Sequence, residues 1–372
     1  MTREGSLAPG GPPVYAVILA GGSGTRFWPA SRRLSPKQLL PIGPAAPQSL
    51  LRRTAERLWR MVEPSHTLVL TGRHLLPQSQ AELPELAESA FLAEPLAKNT
   101  APCIAWASAL VAARDANAVL IVVPSDQHAE NEDAFLAVLD VAIAEANQGK
   151  IAIVGIVPTR PETGYGYIEL GRRGDGPVAE VRRFVEKPNW DTAESYVRSG
   201  NFLWNAGMFV FQARTMVEAF RRHAPELARA AEELAQLDSS SGLTEERILT
   251  FFEQAPSISI DYAVMEKENA LSVVAGDFGW SDLGSWESAW ELGAKDSAEN
   301  CGRPEDIFVD SKRNLIYAAP GEGGHKTIAL VGVEDLCVID TGDALLVVRR
   351  EQSQDVRFVV EELKRRGELS KL

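Results

Sequence analysis

Short, unbroken apolar runs alternate along the chain with longer stretches whose apolar positions recur every three or four residues. Val14–Ala20 is apolar throughout and stops at a glycine pair. A strand without a polar face is one covered on both sides, as in the middle of a parallel sheet. His66–Gly72, Ala118–Pro124 and Ile151–Pro158 repeat the pattern. Between these runs, Leu50–Val62, Ala101–Arg114 and Asp133–Asn147 read as helices. Strands alternating with helices of this length imply βαβ units and a parallel sheet flanked by helices.

The pattern changes further on. Val178–Glu186 and Phe202–Phe211 read as strands. Asp191–Ser199 reads as a short helix opened by Asp191, with Glu194 at the capping-box position. Thr215–Leu237 reads as one long Ala- and Glu-rich helix. After about residue 300 the runs DIFVD, NLIYAA, KTIALVGV, LCVIDTG and ALLVV follow one another with turns between them. That predicts a small all-β appendage, solenoid-like or barrel-like, and no fixed-period repeat stands out in it. A final helix presents Val356, Val359, Val360 and Leu363 on one face, with Ser353 as its expected N-cap and Gly367 at its end. The predicted division is a disordered tail over 1–13, a catalytic domain over 14–295, and a β-rich domain with its terminal helix over 296–372.

Composition narrows the function. At 372 residues the chain can bury a large core without staples. Acidic residues outnumber basic ones by 51 to 38, a formal charge of −13. That argues against a general nucleic-acid or membrane-surface binder, but a phosphorylated substrate could still bind where Arg and Lys gather locally. Cys103, Cys301 and Cys337 are widely spaced, which predicts reduced thiols, neither a disulfide framework nor a zinc site. The N-terminus has no apolar leader, and the longest apolar stretches fall short of the ~20 residues of a membrane helix. A cytoplasmic protein is expected.

The chemistry concentrates in AGGSGTRFWPASRRLSPKQLLPI, Ala20–Ile42, directly after the first predicted strand. Ligands of open α/β sheets bind beyond the carboxyl ends of the strands. Gly21, Gly22 and Gly24 let the backbone approach a ligand and aim N–H groups at an anion. Arg26, Arg32, Arg33 and Lys37 crowd the same segment, which points to a polyphosphate. A Walker A loop would need Gly-Lys-Ser/Thr where Arg26-Phe27 stands, and a dinucleotide fingerprint would need glycine in place of Phe27.

Weaker signals follow. Asp126 in PSDQH stands at another strand end, where it could bind a metal, hold a ribose, or cap the next helix. Asp282 in GWSDLGSW is a turn residue that could join it; two carboxylates suit Mg²⁺. TGYGYIE brackets Tyr165 with glycines and reads equally as a sugar-facing segment or a hairpin turn. FVEKP sets Glu186 beside Lys187, a carboxylate for sugar hydroxyls and an ammonium for phosphate, or an exposed surface pair. Asn205 and Gly207 lie in WNAGMFVF, and Asp261 in SIDYAVMEK.

GGSGTRxWPxSRxxxPKQ resembles the signature of sugar-1-phosphate nucleotidylyltransferases, and its PKQ ending resembles the mannose-1-phosphate guanylyltransferase branch. EPxxxNTAP, PSD, TGYG, FVEKP, WNAGMF, SIDYAVMEK and GWSDLGSW follow in that family's order, and LCVIDTGDALLVV resembles its β-helical tail. The resemblance implies a Rossmann-like α/β fold, a mixed, mostly parallel sheet flanked by helices, with a small C-terminal β-helix-like domain and a terminal helix. It implies transfer of GMP from GTP to mannose 1-phosphate, giving GDP-mannose and pyrophosphate, with Mg²⁺ on Asp126 and Asp282.

Carried over residue by residue, Leu19, Ala20, Gly21, Gly22, Ser23, Gly24, Thr25 and Ser125 line the nucleotide. Glu94, Asn99 and Thr100 lie near guanine. Arg26 and Lys37 take the phosphates and Lys187 the sugar phosphate. Gly166, Glu186, Asn205, Gly207 and Asp261 surround the mannose. The family's SDH departs here to Asp126-Gln127-His128, which leaves any role of His128 open. Five scattered histidines argue against an added isomerase domain. The expected partners are these small molecules and a second copy in a homodimer, with no nucleic-acid polymer and no membrane. Another hexose or heptose 1-phosphate, or a catalytically silent nucleotide-sugar-binding subunit, stand as alternatives. A nicotinamide-dependent oxidoreductase fails on the fingerprint.

Overall fold

The structure, a computed structural model, describes residues 11–22, 24–43, 48–173, 176–239, 242–319 and 326–372. Ser23 and most of the predicted tail lie outside them. The chain divides into two compact units. One holds residues up to Gly21, Ala55–Ser125 and Ala129–Trp280; the other holds Gly22–Thr54, Asp126–His128 and Ser281–Leu372.

The first unit is built on a nine-stranded sheet. Its strands run in the order Phe91–Glu94, Thr67–Gly72, Val14–Ala20, Val119–Pro124, Phe202–Gln212, Ile151–Ile156, Leu271–Gly276, Val178–Val185 and Tyr167–Arg173. Only Phe202–Gln212 and Val178–Val185 run against the rest. The all-apolar runs are the central strands: Ala16, Val17 and Ile18 are fully buried, as are Leu120, Ile121 and Val122. Helix Thr100–Arg114 is buried nearly all round and packs on Ala213–His223 and Pro225–Ser239. A helix that is apolar on every side must be covered on every side.

Three sequence expectations need correction. The long helix over Thr215–Leu237 is two helices, Ala213–His223 and Pro225–Ser239. Pro225 has no N–H to continue the ladder, and it forces Ala224 to φ −148°, outside the helical region. The helix expected at Asp191 starts at Trp190, with Asn189 as its cap: Thr192 N donates to Asn189 Oδ1 at 3.0 Å. Ser353 is not a cap. Its buried hydroxyl accepts from Glu287 N at 3.3 Å from within a 3₁₀ helix, Arg350–Asp355, and the last α-helix runs Val356–Arg366 after it. Gly367 does end it, at φ 73°.

The second unit has its own core, in which Phe27, Ile42 and Leu50 are buried alongside Trp286, Cys337, Ile339 and Val356. Strands pair in parallel between successive coils, Ile307 with Ala329 and Leu315 with Cys337, and Leu336–Asp340 pairs antiparallel with the last strand, Leu345–Arg349. Lys312 bridges to Glu334 in parallel. Side chains repeat the offset of 22 residues, Arg313 pairing with Asp335 and Asn314 Oδ1 accepting from Leu336 N. This is the β-helical coil the resemblance implies, with a period that a single turn cannot display in sequence. All three cysteines are free and buried.

Candidate functional site

Lys37 is the centre of the site in the second unit. It is buried, with 7 % of its side chain exposed, and its ammonium has two acidic-residue partners. Lys37 Nζ donates to Asp126 Oδ2 at 2.9 Å and to the backbone carbonyl of Asp282 at 2.6 Å. Residues from three distant stretches of sequence thus meet at one cation. Asp126 does not cap the following helix; Asn131 does, accepting from Ala134 N. Asp282 shapes its own turn, Oδ1 accepting from Gly284 N at 3.1 Å.

Gly24 explains part of the glycine loop. It sits at φ 57°, and a Cβ there would fall 2.4 Å from Lys37 Cβ and 2.9 Å from Lys37 N. Only glycine lets the two ends of the loop close on each other. Arg26 and Arg33 are exposed, and Gly22 is exposed ahead of them. Arg32, counted among the clustered cations, is occupied elsewhere: it donates to the carbonyls of Pro29 and Lys371 and pairs with Asp343.

In the first unit the nucleotide candidates gather at the carboxyl ends of the sheet. Ser125 N donates to Leu19 O at 2.9 Å, joining two strand ends, and Thr71 Oγ1 contacts Ala20 O. Glu94 ends its strand with Oε1 3.6 Å from where a Cβ of Gly21 would lie. Burial pushes the Glu94 carboxyl up to about 7, against a hydrogen bond from Cys103 that acts the other way. Asn99, at φ 65°, caps helix Thr100–Arg114 with its own side chain. Thr100 Oγ1 accepts from Ile260 N at 2.9 Å, which ties this loop to the stretch carrying Asp261. Thr25 is half-buried, in the other unit.

The sugar candidates form one cluster, also in the first unit. Tyr167 is in register with both Val185 and Trp204, so the next positions, Gly166, Glu186 and Asn205, emerge together. Asn205 N donates to Gly166 O at 2.8 Å, and Asn205 Nδ2 to Asp261 Oδ1 at 3.0 Å. Asn205 Oδ1 accepts from Gly207 N. A Cβ on residue 166 would come within 2.5 Å of Glu186 Oε2. The Glu186 side chain is 7 % exposed and pairs with Lys187 through Oε1, while Oε2 is buried with no hydrogen-bond partner among the described residues.

Charge follows this packing. Burial, then the neighbouring Glu186 charge, raises the Asp261 carboxyl to about 6. Burial works to lower the Lys187 ammonium, but the hydrogen bond and charge of Glu186, with Asp261 behind it, outweigh it and leave the net shift upward. Two features here were not foreseen from sequence. Glu266 receives Glu186 N through Oε1, and Cys103 backs Glu94. SIDYAVMEK carried the first signal, since Glu266 lies in that motif next to its last residue; for Cys103 the sequence offered only an apolar helix.

Comparison with known proteins gives the family. Residues 15–299 match the model of the family described as nucleotidyl transferase, and residues 304–363 match a MannoseP isomerase/GMP-like beta-helix domain. The chain belongs to the nucleotidyl transferase family. It is 38% identical over 367 residues to a mannose-1-phosphate guanylyltransferase of Escherichia coli K12, covering 95% of this chain and 74% of that one. It is 36% identical over 354 residues to the alginate biosynthesis protein AlgA of Pseudomonas aeruginosa PAO1, covering 94% and 72%. A solved structure from Thermus thermophilus, described as a mannose-1-phosphate geranyltransferase, superposes with a TM-score of 0.84 at 35% identity, covering 94% of this chain and 99% of that one. Among the described residues no helix is long and apolar enough to cross a membrane.

Proposed function

We propose that the protein transfers GMP from GTP to mannose 1-phosphate, releasing pyrophosphate and forming GDP-mannose. The guanylyltransferases it resembles support the reaction. The observation that carries it is the buried Lys37 ammonium, tied to Asp126 and Asp282 beneath the glycine loop. An oxygen of the sugar phosphate attacks the α-phosphorus in line, the bond to the bridging oxygen breaks, and the electron pair leaves on pyrophosphate. The attacking oxygen is already anionic near neutral pH, so no nucleophilic side chain or general base is needed. The residues position two polyanions and neutralise developing charge.

Lys37 and Arg26 take the nucleotide phosphates, alongside the backbone from Gly21 to Thr25, with Ser23 included by sequence alone. Glu94 accepts from the guanine N1–H and amino group, in a loop shaped by Asn99 and Thr100. Glu186 Oε2 accepts from a mannose hydroxyl, Asn205 and Asp261 fix the same cluster, and Lys187 faces the sugar phosphate.

Asp126 and Asp282 suit a magnesium ion. Both carry hard oxygen donors, and an ion completed by substrate phosphates takes one or two carboxylates. When bound, the ion supplies charge neutralisation on the phosphates. The catalytic domain spans 14–295 and the β-helical domain 296–372 in this reading. The buried thiols accord with the cytoplasm. The exposed Val331, Leu345 and Val347 on the second unit's strands suit the face of a homodimer.

The test is a panel of the four nucleoside triphosphates against several sugar 1-phosphates, followed by pyrophosphate release with and without Mg²⁺. GTP with mannose 1-phosphate should give the highest kcat/KM. A different pair exceeding it overturns the assignment of base or sugar.

A further inference from the structure

The four cations of the glycine loop do not share one task. Arg32 Nε donates to Pro29 O at 2.6 Å. Its two terminal nitrogens reach Lys371 O at 2.5 Å, Asp343 Oδ1 at 3.0 Å and Thr341 Oγ1 at 3.3 Å. Trp28, buried beside it, donates Nε1 to the same Lys371 carbonyl at 2.8 Å. Lys371 Nζ returns to Asp343 through its carbonyl and carboxylate, at 3.0 and 3.2 Å. Thr341 Oγ1 donates to Asp343 Oδ1, closing the network. The far side of the loop is fixed as well: Trp286 Nε1 donates to Trp28 O, and the Trp286 ring meets Phe27 edge-on at 4.9 Å, with Lys37 Nζ 5.6 Å from the centre of the Phe27 ring.

We propose that Arg32 is a positioning residue: with Asp343 and the Lys371 carbonyl it latches the loop between Gly24 and Lys37, and it acts on the nucleotide only through that loop. The guanidinium is the right group for this. Its planar fork satisfies four acceptors on three chain segments, which an ammonium on a flexible stem does not reproduce. Its donors are taken up by those acceptors, whereas Arg26 and Arg33 are exposed and Lys37 donates to Asp126 and to the Asp282 carbonyl. The segment that holds the latch adds only Leu372 to the edge of the core, residues 367–370 being exposed. The latch therefore sets the geometry of the loop more than the stability of the unit. The inference rests on the reading of this loop as a GTP site.

The experiment compares Arg32→Ala, Arg32→Lys, Asp343→Asn, a chain ended at Gly367, and Arg32→Ala in that shortened chain. KM for GTP and kcat are measured with mannose 1-phosphate, GTP binding by titration calorimetry, and folding by thermal melts. Arg32→Ala and the shortened chain should each raise KM for GTP about tenfold, and the combined variant should be no worse than the worse single one, because one latch is lost once. Arg32→Lys should fail to restore binding. Asp343→Asn should weaken GTP binding too. A direct phosphate contact by Arg32 predicts the reverse in each case: effects that multiply, rescue by lysine, and tighter GTP binding when the competing Asp343 charge is removed. Any of these three results overturns the latch. A wild-type protein that binds GTP but turns over no sugar 1-phosphate overturns the proposed reaction instead, and calorimetry still reads the latch.

Discussion

At the scale of single residues, two buried charges carry the argument. Lys37 is almost fully covered, whereas its partner Asp126 has 35 % of its side chain exposed. Replacing Lys37 with alanine therefore leaves a carboxylate that water can still solvate, so the fold should survive. Activity should not. A cation aimed at charge that develops in the transition state is worth ~10²-fold or more in kcat/KM. Lys37→Ala within threefold of wild type, with an unchanged melt, removes the phosphate role. Glu94 gives a prediction in pH. Its carboxyl is raised to about 7 by burial, so the folded protein holds this proton longer than the unfolded chain does. Its contribution to stability is present below the usual carboxylate range and is lost as pH rises through about 7. In the proposed contact, guanine's N1–H and amino group need the ionised form, so KM for GTP should fall as pH rises from 6 to 8. Glu94→Gln should abolish both trends: the melting temperature gains in relative terms toward pH 8, and KM for GTP becomes flat. A Glu94→Gln profile that parallels wild type rules out this base contact.

At the scale of elements, what the sequence could reveal depended on whether the cause was local. The strand Val14–Ala20 and the helix ending at Arg114 were legible because their patterns are written in their own residues. Pro225 was legible too, since a proline inside a helical run is a break signal, and treating Thr215–Leu237 as one helix ignored it. Ser353 was not legible. A serine before an apolar face looks like a cap, and only the packed unit shows its hydroxyl turned to Glu287. The same limit hid the β-helical register, where Asn300 and Asn314 sit almost without exposure. Asn314 Nδ2 donates to Asn300 Oδ1 and Val333 O, and Asn314 Oδ1 accepts from Leu336 N. Each bond crosses between coils, so no local pattern announces it. Asn314→Ala strands several buried polar groups at once, at roughly 1–3 kcal/mol each before relaxation. The melting temperature should drop by several degrees, while Asn314→Asp should recover little, because a carboxylate cannot donate to Val333 O. A neutral Asn314→Ala would show that the ladder is redundant.

At the scale of the whole molecule, the chain assembles its chemistry by interleaving. The unit that contains the β-helical coil also takes in Gly22–Thr54 and the three residues Asp126–His128. A sequence reading that cuts the chain once cannot foresee this, although the types and order of the residues did place Lys37, Asp126 and Asp282 among the candidates that this unit brings together. The consequence falls on the proposed metal. Asp126 and Asp282 come from separate segments of that unit, and Lys37 Nζ donates to the Asp126 carboxylate and to the Asp282 backbone carbonyl. In the proposed reaction, two carboxylates beside bound phosphates repel them strongly unless a cation intervenes, and Lys37 supplies only one positive charge. Asp126→Asn and Asp282→Asn should each weaken Mn²⁺ binding, read by electron paramagnetic resonance in the presence of GTP, and each should raise the Mg²⁺ concentration needed for half-maximal rate. The double variant should be little worse than the worse single one, because a shared site is lost only once. Effects that multiply across the pair, or Mn²⁺ binding unchanged in either single variant, would mean that the two carboxylates serve different ends, with Lys37 joining them for structure alone.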